Sequence, residues 1–188
     1  MSVSKSPSLS AVGARLFVGL WPRQEEVSHL IAQQQQWRWP RGSSVVKPQR
    51  LHLTLHFLGV VDRARLVQIA AGMRVSFEPF DLPFTQAEIW PRGIAVLEAK
   101  PVPEPLCMLH SHLASALRKL SLPLEVRPFR PHVTLARQAP GAFPPSEPVR
   151  LNWRVDSYVL VESVLGPEAG YHIRQRYAEK AIQPVQAS

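Results

Sequence analysis

Apolar residues in this chain fall into two rhythms, repeats at three and four and short runs that alternate or stay apolar throughout. The first rhythm marks helices and the second marks strands. Leu106, Leu109, Leu113, Ala116, Leu117 and Leu120 repeat at three and four after Pro105, which suits a first helical turn, so 105–120 is the clearest helix. Val27, Leu30, Ile31 and Gln34 predict a helix from Pro22 to about Gln36, with Glu25 and Glu26 at the positive end of its dipole. Asp62 as N-cap and the stripe Leu66, Ile69, Ala70 and Met73 predict another to about Val75. Strands are expected at 16–20, at 51–58 with Gly59 as its end, at 131–137, over a long segment 152–165, and near 171–178. Segments 80–90 and 94–99 read as a hairpin turned by Pro91-Arg92-Gly93. The mixture lacks the Gly-rich βα turns of nucleotide-binding folds and predicts α+β architecture with mainly antiparallel sheets. Residues 1–14 and 181–188 read as tails around one domain at 15–180. The order strand, helix, strand, helix in the first half and hairpin, helix, strand, hairpin in the second suggests a weak internal duplication.

Two of the predicted strands carry chemistry. Leu51, Leu53, Leu55 and Phe57 alternate with His52, Thr54 and His56, and Val133 and Leu135 alternate with His132 and Thr134. The chain has seven histidines and three threonines, and two of the threonines stand two residues after a histidine. Chance placement would give roughly 0.1 such pairs. Three readings of two facing imidazoles are open. Acid–base catalysis at a phosphodiester needs one neutral and one protonated imidazole, with hydroxyls on the non-bridging oxygens and an arginine for the developing charge. A metal site using His52 and His56 is disfavoured, because strand rise sets them roughly 13 Å apart and no Asp or Glu accompanies either motif. A non-catalytic RNA-binding lobe would need no second histidine in a matching place.

Composition adds less. Lys and Arg number 22 against 14 Asp and Glu, for a net charge of +8, which favours an anionic partner such as nucleic acid. Nineteen prolines favour short elements and firm turns. The single cysteine, Cys107, excludes an internal disulfide and a cysteine metal cluster, and its place in a helical apolar pattern predicts a small core residue. No apolar run reaches transmembrane length and residues 1–12 lack the apolar core of a secretory signal, so a cytoplasmic protein is expected; a monomer is expected as well. Trp37-Arg38-Trp39 reads as aromatics covering a helix end or, less favoured, as a stacking surface for single-stranded nucleic acid. His29, His110 and His112 are expected at solvent or a helix edge. His172, Arg174 and Arg176 are expected on one face of the last strand.

His52-Leu53-Thr54-Leu55 and His132-Val133-Thr134-Leu135 resemble the paired His-x-Thr-x motifs of the 2H phosphoesterases. More narrowly, Arg15 to Pro22 (RLFVGLWP), Leu51 to Gly59 (LHLTLHFLG), Pro131 to Arg137 (PHVTLAR), and Val161-Glu162-Ser163 followed by Tyr171 are similar to the bacterial RNA 2′,3′-cyclic phosphodiesterases, also called 2′-5′ RNA ligases. Residues 93–103 and the end after Tyr177 match that pattern loosely. The resemblance implies a bilobal fold with pseudo-two-fold symmetry, each lobe giving one motif to a central cleft. It implies metal-independent and cofactor-free opening of a terminal 2′,3′-cyclic phosphate to a 2′-phosphate on RNA ends, tRNA fragments among them. His52 would then be the proton donor and His132 the proton acceptor, and Thr54, Thr134 and Arg137 would hold the phosphate. Arg137 meets that role only if its strand bulges or ends, since a regular strand points it away from His132. Two alternatives remain: a 2H enzyme for a small cyclic nucleotide or 2′-5′ oligonucleotide, and an RNA-end binding module without catalysis.

Overall fold

The computed structural model describes residues 13–166 and 169–178. Apart from Gly13 and Ala14, which open the first strand, the two expected tails lie outside the described residues. The elements in chain order are β1 (Gly13–Leu20), α1 (Gln24–Gln35), β2 (Ser44–Val45), β3 (Leu53–Asp62), α2 (Leu66–Gly72), β4 (Phe80–Trp90), β5 (Ile94–Ala99), α3 (Glu104–Lys119), β6 (His132–Arg137), β7 (Leu151–Val155), β8 (Ser157–Val164) and β9 (Gly170–Ala178).

The nine strands form one antiparallel sheet in the order β7-β4-β5-β6-β3-β1-β8-β9, with β2 pairing β6. It divides into two four-stranded halves, β3-β1-β8-β9 and β6-β5-β4-β7, joined where the histidine strands β3 and β6 meet. This is a bilobal α+β fold with a local two-fold axis at its centre, yet the halves are not the halves of the sequence. The C-terminal hairpin β8–β9 completes the N-terminal half, because β8 pairs β1.

The long extended segment expected at 152–165 is two strands. β7 pairs β4 at one edge and β8 pairs β1 in the other half, with Asp156 alone between them. A one-residue link joins opposite ends of the strand order only if the sheet curls on itself. Arg23, ahead of α1, forms an ion pair with Asp156 at that link.

Helices cover the outer face of the curl. Leu106, Leu109, Leu113, Ala116 and Leu117 are the buried stripe of α3, as their spacing predicts. Cys107 points to the opposite side and is exposed, contrary to the core position expected of it, because the helix turns it away from that stripe. Near α2, Tyr158 Oη donates to the Met73 carbonyl at 2.9 Å and Tyr177 Oη to the Ala70 carbonyl at 2.7 Å, pinning this short helix to β8 and β9. Trp37 and Trp39 stack at 5.0 Å, and Trp39 Nε1 donates to the Gln34 carbonyl, so this pair closes the C-terminal end of α1.

Leu53 is fully buried at the junction of the halves. Leu53→Ala should cost about 2–5 kcal/mol in urea unfolding, whereas Val67→Ala on an exposed face of α2 should change stability by less than about 0.5 kcal/mol. Equal losses in the two variants would contradict this placement of the core.

Candidate active site

β3 and β6 touch through a single registered pair, Leu53 with Val133. One residue to either side, antiparallel geometry brings His52 alongside Thr134 and Thr54 alongside His132. Each histidine therefore lies next to the threonine of the other motif.

The motifs match in finer detail. His52 Nδ1 lies 2.6 Å from the Arg50 carbonyl, and His132 Nδ1 lies 2.6 Å from the Arg130 carbonyl. A carbonyl only accepts, so Nδ1 carries the hydrogen in both rings. Both Nε2 atoms are left to take up or release a proton. This local bond, made by a residue that precedes β3 or opens β6, fixes ring orientation without help from elsewhere in the fold.

Each histidine strand also carries one extra residue after its threonine. Gly19 pairs Thr54 and Val18 pairs His56, leaving Leu55 unmatched in β3. Val96 pairs Thr134 and Ala95 pairs Ala136, leaving Leu135 unmatched in β6. A bulge reverses the facing of every residue beyond it. His56, expected on the face of His52 and Thr54, therefore turns to the helix side. There it stacks on His110 at 4.0 Å, and its Nε2 donates to the His110 carbonyl at 2.9 Å. Arg137, expected to point away unless its strand bulged, is returned by the Leu135 bulge to the face of His132 and Thr134. After burial, which the bonds to the backbone carbonyls oppose, its charge is a lesser cause of the lowered pKa of both histidines.

A helix side chain reaches the carbonyl of each bulged residue. The Leu135 carbonyl accepts from the Val46 N–H at 2.8 Å and from Gln34 of α1 at 2.9 Å, and the His110 ring of α3 bonds the Leu55 carbonyl. Gln34 and His110 thus support the bulges from behind. Of the three histidines expected at solvent or a helix edge, His29 and His112 are exposed, and His110 is partly buried for this reason. A second bulge at Leu58, opposite Leu16 and Phe17, carries β3 through Gly59, whose φ of +75° suits glycine; the strand ends at Asp62.

The two walls of the cleft differ. On the His52 side the ring centroids of Phe17, Tyr171 and Trp21 lie 4.9, 5.1 and 5.6 Å from the imidazole. Gly19 beside them has no room for a side chain, since a Cβ there would meet the Leu53 carbonyl oxygen at 2.6 Å. On the His132 side Trp90 lies at 4.3 Å, and Glu98, only 2% exposed, pairs His132 in register. Both Glu98 oxygens bond Arg130, at 2.8 and 2.7 Å, and Lys100 adds a contact at 3.2 Å. Arg130 also reaches Glu88 at 3.0 Å and stacks over Trp90 at 4.3 Å. A cavity of about 300 Å3 opens along this wall, lined by Thr54, Trp90, Arg127, Phe129, Arg130 and His132, with His56 and His110 lining it as well.

These surroundings set the charges. Burial pushes the His52 pKa down to about 4, against the bond to the Arg50 carbonyl, and the nearby His132 and Arg137 charges push it the same way. Burial also lowers His132, but its bond to the Arg130 carbonyl and the Glu98 carboxylate oppose the shift, with Arg130 and Arg137 adding to it. Only His132 has a carboxylate in this role. Among the described residues no three His, Cys, Asp or Glu side chains gather to hold a metal ion. None of the described helices is long and apolar enough to cross a membrane.

Residues 26–164 match the 2′-5′ RNA ligase superfamily. The chain belongs to this family. It is 32% identical over 169 residues to the RNA 2′,3′-cyclic phosphodiesterase of Thermus thermophilus, covering 82% of this chain and 84% of that one. It is 33% identical over 141 residues to the Escherichia coli protein of the same name, covering 73% and 77%. The structure of E. coli LigT complexed with 3′-AMP superposes with a TM-score of 0.76 at 25% identity, covering 88% of this chain and 98% of that one.

The aromatic wall and Glu98 were not predicted. A lone carboxylate inside the apolar run Ile94–Ala99 was the available signal for Glu98, since a buried charge requires a partner.

Histidine NMR at neutral pH should show the Nδ1–H tautomer for both His52 and His132, and His52 should titrate near pH 4 rather than near 6.5. An Nε2–H tautomer in either ring, or an ordinary midpoint for His52, would contradict this geometry.

Proposed function

We propose that the protein is an RNA 2′,3′-cyclic phosphodiesterase, hydrolysing a terminal 2′,3′-cyclic phosphate to a 2′-phosphomonoester with His52 and His132 as the acid–base pair. The observation that carries this reading is the pairing of two imidazoles, each anchored through Nδ1 to a carbonyl two residues earlier and each beside the other motif's threonine. The names borne by the Thermus and E. coli relatives agree with it.

In this mechanism the cyclic phosphate lies between the rings. His132 Nε2 takes a proton from water, whose oxygen attacks phosphorus; the bond from phosphorus to the 3′ oxygen breaks, and His52 Nε2–H protonates that oxygen. Thr54 and Thr134 hydroxyls donate to the non-bridging oxygens, and Arg137 balances the charge that develops on them. The two environments suit this division of labour. His52, with the more depressed pKa, is the stronger acid when protonated, and His132, beside Glu98, is the stronger base. The anionic phosphate raises both pKa values on binding and so favours the protonated imidazole that the reaction needs. With a 5′-hydroxyl in place of water as the nucleophile and the 3′ oxygen again leaving, the same pair can join ends through a 2′–5′ linkage.

The pH profile of kcat/KM, which reports the free enzyme, should be bell-shaped with its optimum below pH 6.5, because both imidazoles titrate below that value. The profile of kcat should sit at higher pH. Coincident profiles centred at or above neutrality would count against this pair.

His52→Ala and His132→Ala should each lower turnover roughly 10²–10⁴-fold, and activity should persist in excess chelator. Wild-type turnover in either variant, or loss of activity on chelation, would refute the mechanism.

A further inference from the structure

The charges beside the two histidines are balanced differently. On the His132 wall Arg130 and Lys100 pair with Glu98 and Glu88, and Arg127 pairs with Glu125. That wall presents cations already neutralised by carboxylates. On the His52 wall Arg50 and Arg176 have no carboxylate partner among the described residues. Arg50 lies over the Tyr171 ring at 5.5 Å, and Tyr171 meets the His52 ring edge-on.

Arg176 reaches this side through a local irregularity. Val161 pairs Ile173 and Leu160 pairs Gln175, so Arg174 is an extra residue in β9. The three side chains expected on one face are thereby separated. Arg174 turns to the buried carboxylate of Glu162, at 2.6 Å from Nε. Arg176 falls opposite Val159, which clusters with Phe17 and Val161 behind the His52 wall, and its guanidinium bonds Ser157 Oγ at 3.1 Å. The cross-strand row runs Thr54, Gly19, Val159, Arg176. Three strand spacings of about 4.8 Å place Arg176 roughly 14 Å from Thr54. It is too far to touch the phosphate held at Thr54, and it faces the same open side of the sheet. Ile173, 40% exposed on that face, adds apolar surface between Tyr171 and Arg176.

We propose that the single-stranded RNA leading to the reacting end crosses the His52 wall and the face of β9, with a base against Tyr171 and upstream phosphates at Arg50 and Arg176. This rests on the cyclic phosphodiesterase reading and extends it, since it makes an oligonucleotide rather than a cyclic mononucleotide the preferred substrate. Unpaired cations attract phosphates, and an aromatic ring interleaved with them stacks on a base of any sequence. Among other candidate RNA contacts, Arg130 and Arg174 are held by carboxylates, Trp37 and Trp39 cover a helix end, and His56 is buried and engaged with His110.

The test compares kcat/KM for a short RNA ending in a 2′,3′-cyclic phosphate with kcat/KM for 2′,3′-cyclic AMP. Arg176→Glu should lower the oligonucleotide-to-mononucleotide ratio roughly five- to tenfold. Arg127→Glu, on the opposite wall, should change it by less than about twofold. A ratio that falls in Arg127→Glu and holds in Arg176→Glu, or holds in both, overturns the proposal. A second arm needs no turnover: binding of a labelled RNA with a plain 3′-phosphate is followed against salt. Arg176→Gln should make the slope of log K shallower by about 0.7, one single-strand phosphate contact, and an unchanged slope overturns the proposal. If the wild-type protein opened no cyclic phosphate, the catalytic reading would fail, while the binding arm would still decide where the RNA lies.

Discussion

Leu53 and Val133 form the one registered pair through which the two histidine strands join, and the geometry of the site follows from it. The pair sets the local two-fold axis, and the residues next to it are the histidines and threonines. Had the strands shared a long ladder, their side chains would have filled the space that a phosphate needs. With no contact between them, the imidazoles would have lacked a common frame. The rest of the sheet supports this junction from both sides, through β1 and β5, and the curl set by the short link at Asp156 draws the ends of the strand order together.

The second constraint is the extra residue in each histidine strand. Without Leu135 as a bulge, Arg137 would face the helices, and without Leu55 as a bulge, His56 would share the face of His52 and Thr54. A carbonyl at a bulge is costly when buried unsatisfied. Gln34 of α1 joins the Val46 N–H on the Leu135 carbonyl, and the His110 ring of α3 bonds the Leu55 carbonyl. The helices thus do more than cover apolar surface.

Much of this was legible in the sequence, and the limits have physical causes. Element types and the stripe of α3 follow from periodicity alone, and the two His-x-Thr repeats are visible because threonine is so rare in this chain. Facing beyond the threonines was not legible. Alternation assumes a regular ladder, and a bulge is specified by tertiary pairing and by donors far away in the chain, at Gln34 and His110. The same limit applies to Arg174 and Arg176, separated by a bulge of their own. Long-range charge was hidden too. Glu98 sits in an otherwise apolar strand, and its meaning appears only once Arg130 and His132 are placed beside it.

Because the motifs are related by near-symmetry, the proposed division into donor and acceptor depends on what breaks it: aromatic rings around His52 and a buried carboxylate beside His132. The most direct test of the central claim follows the oxygen and the phosphate together. RNA ending in a 2′,3′-cyclic phosphate is turned over in 18O-labelled water and the product end is identified. Attack by His132-activated water with departure of the 3′ oxygen assisted by His52 predicts a 2′-phosphate carrying one labelled oxygen. A 3′-phosphate, or a product without label, would contradict it.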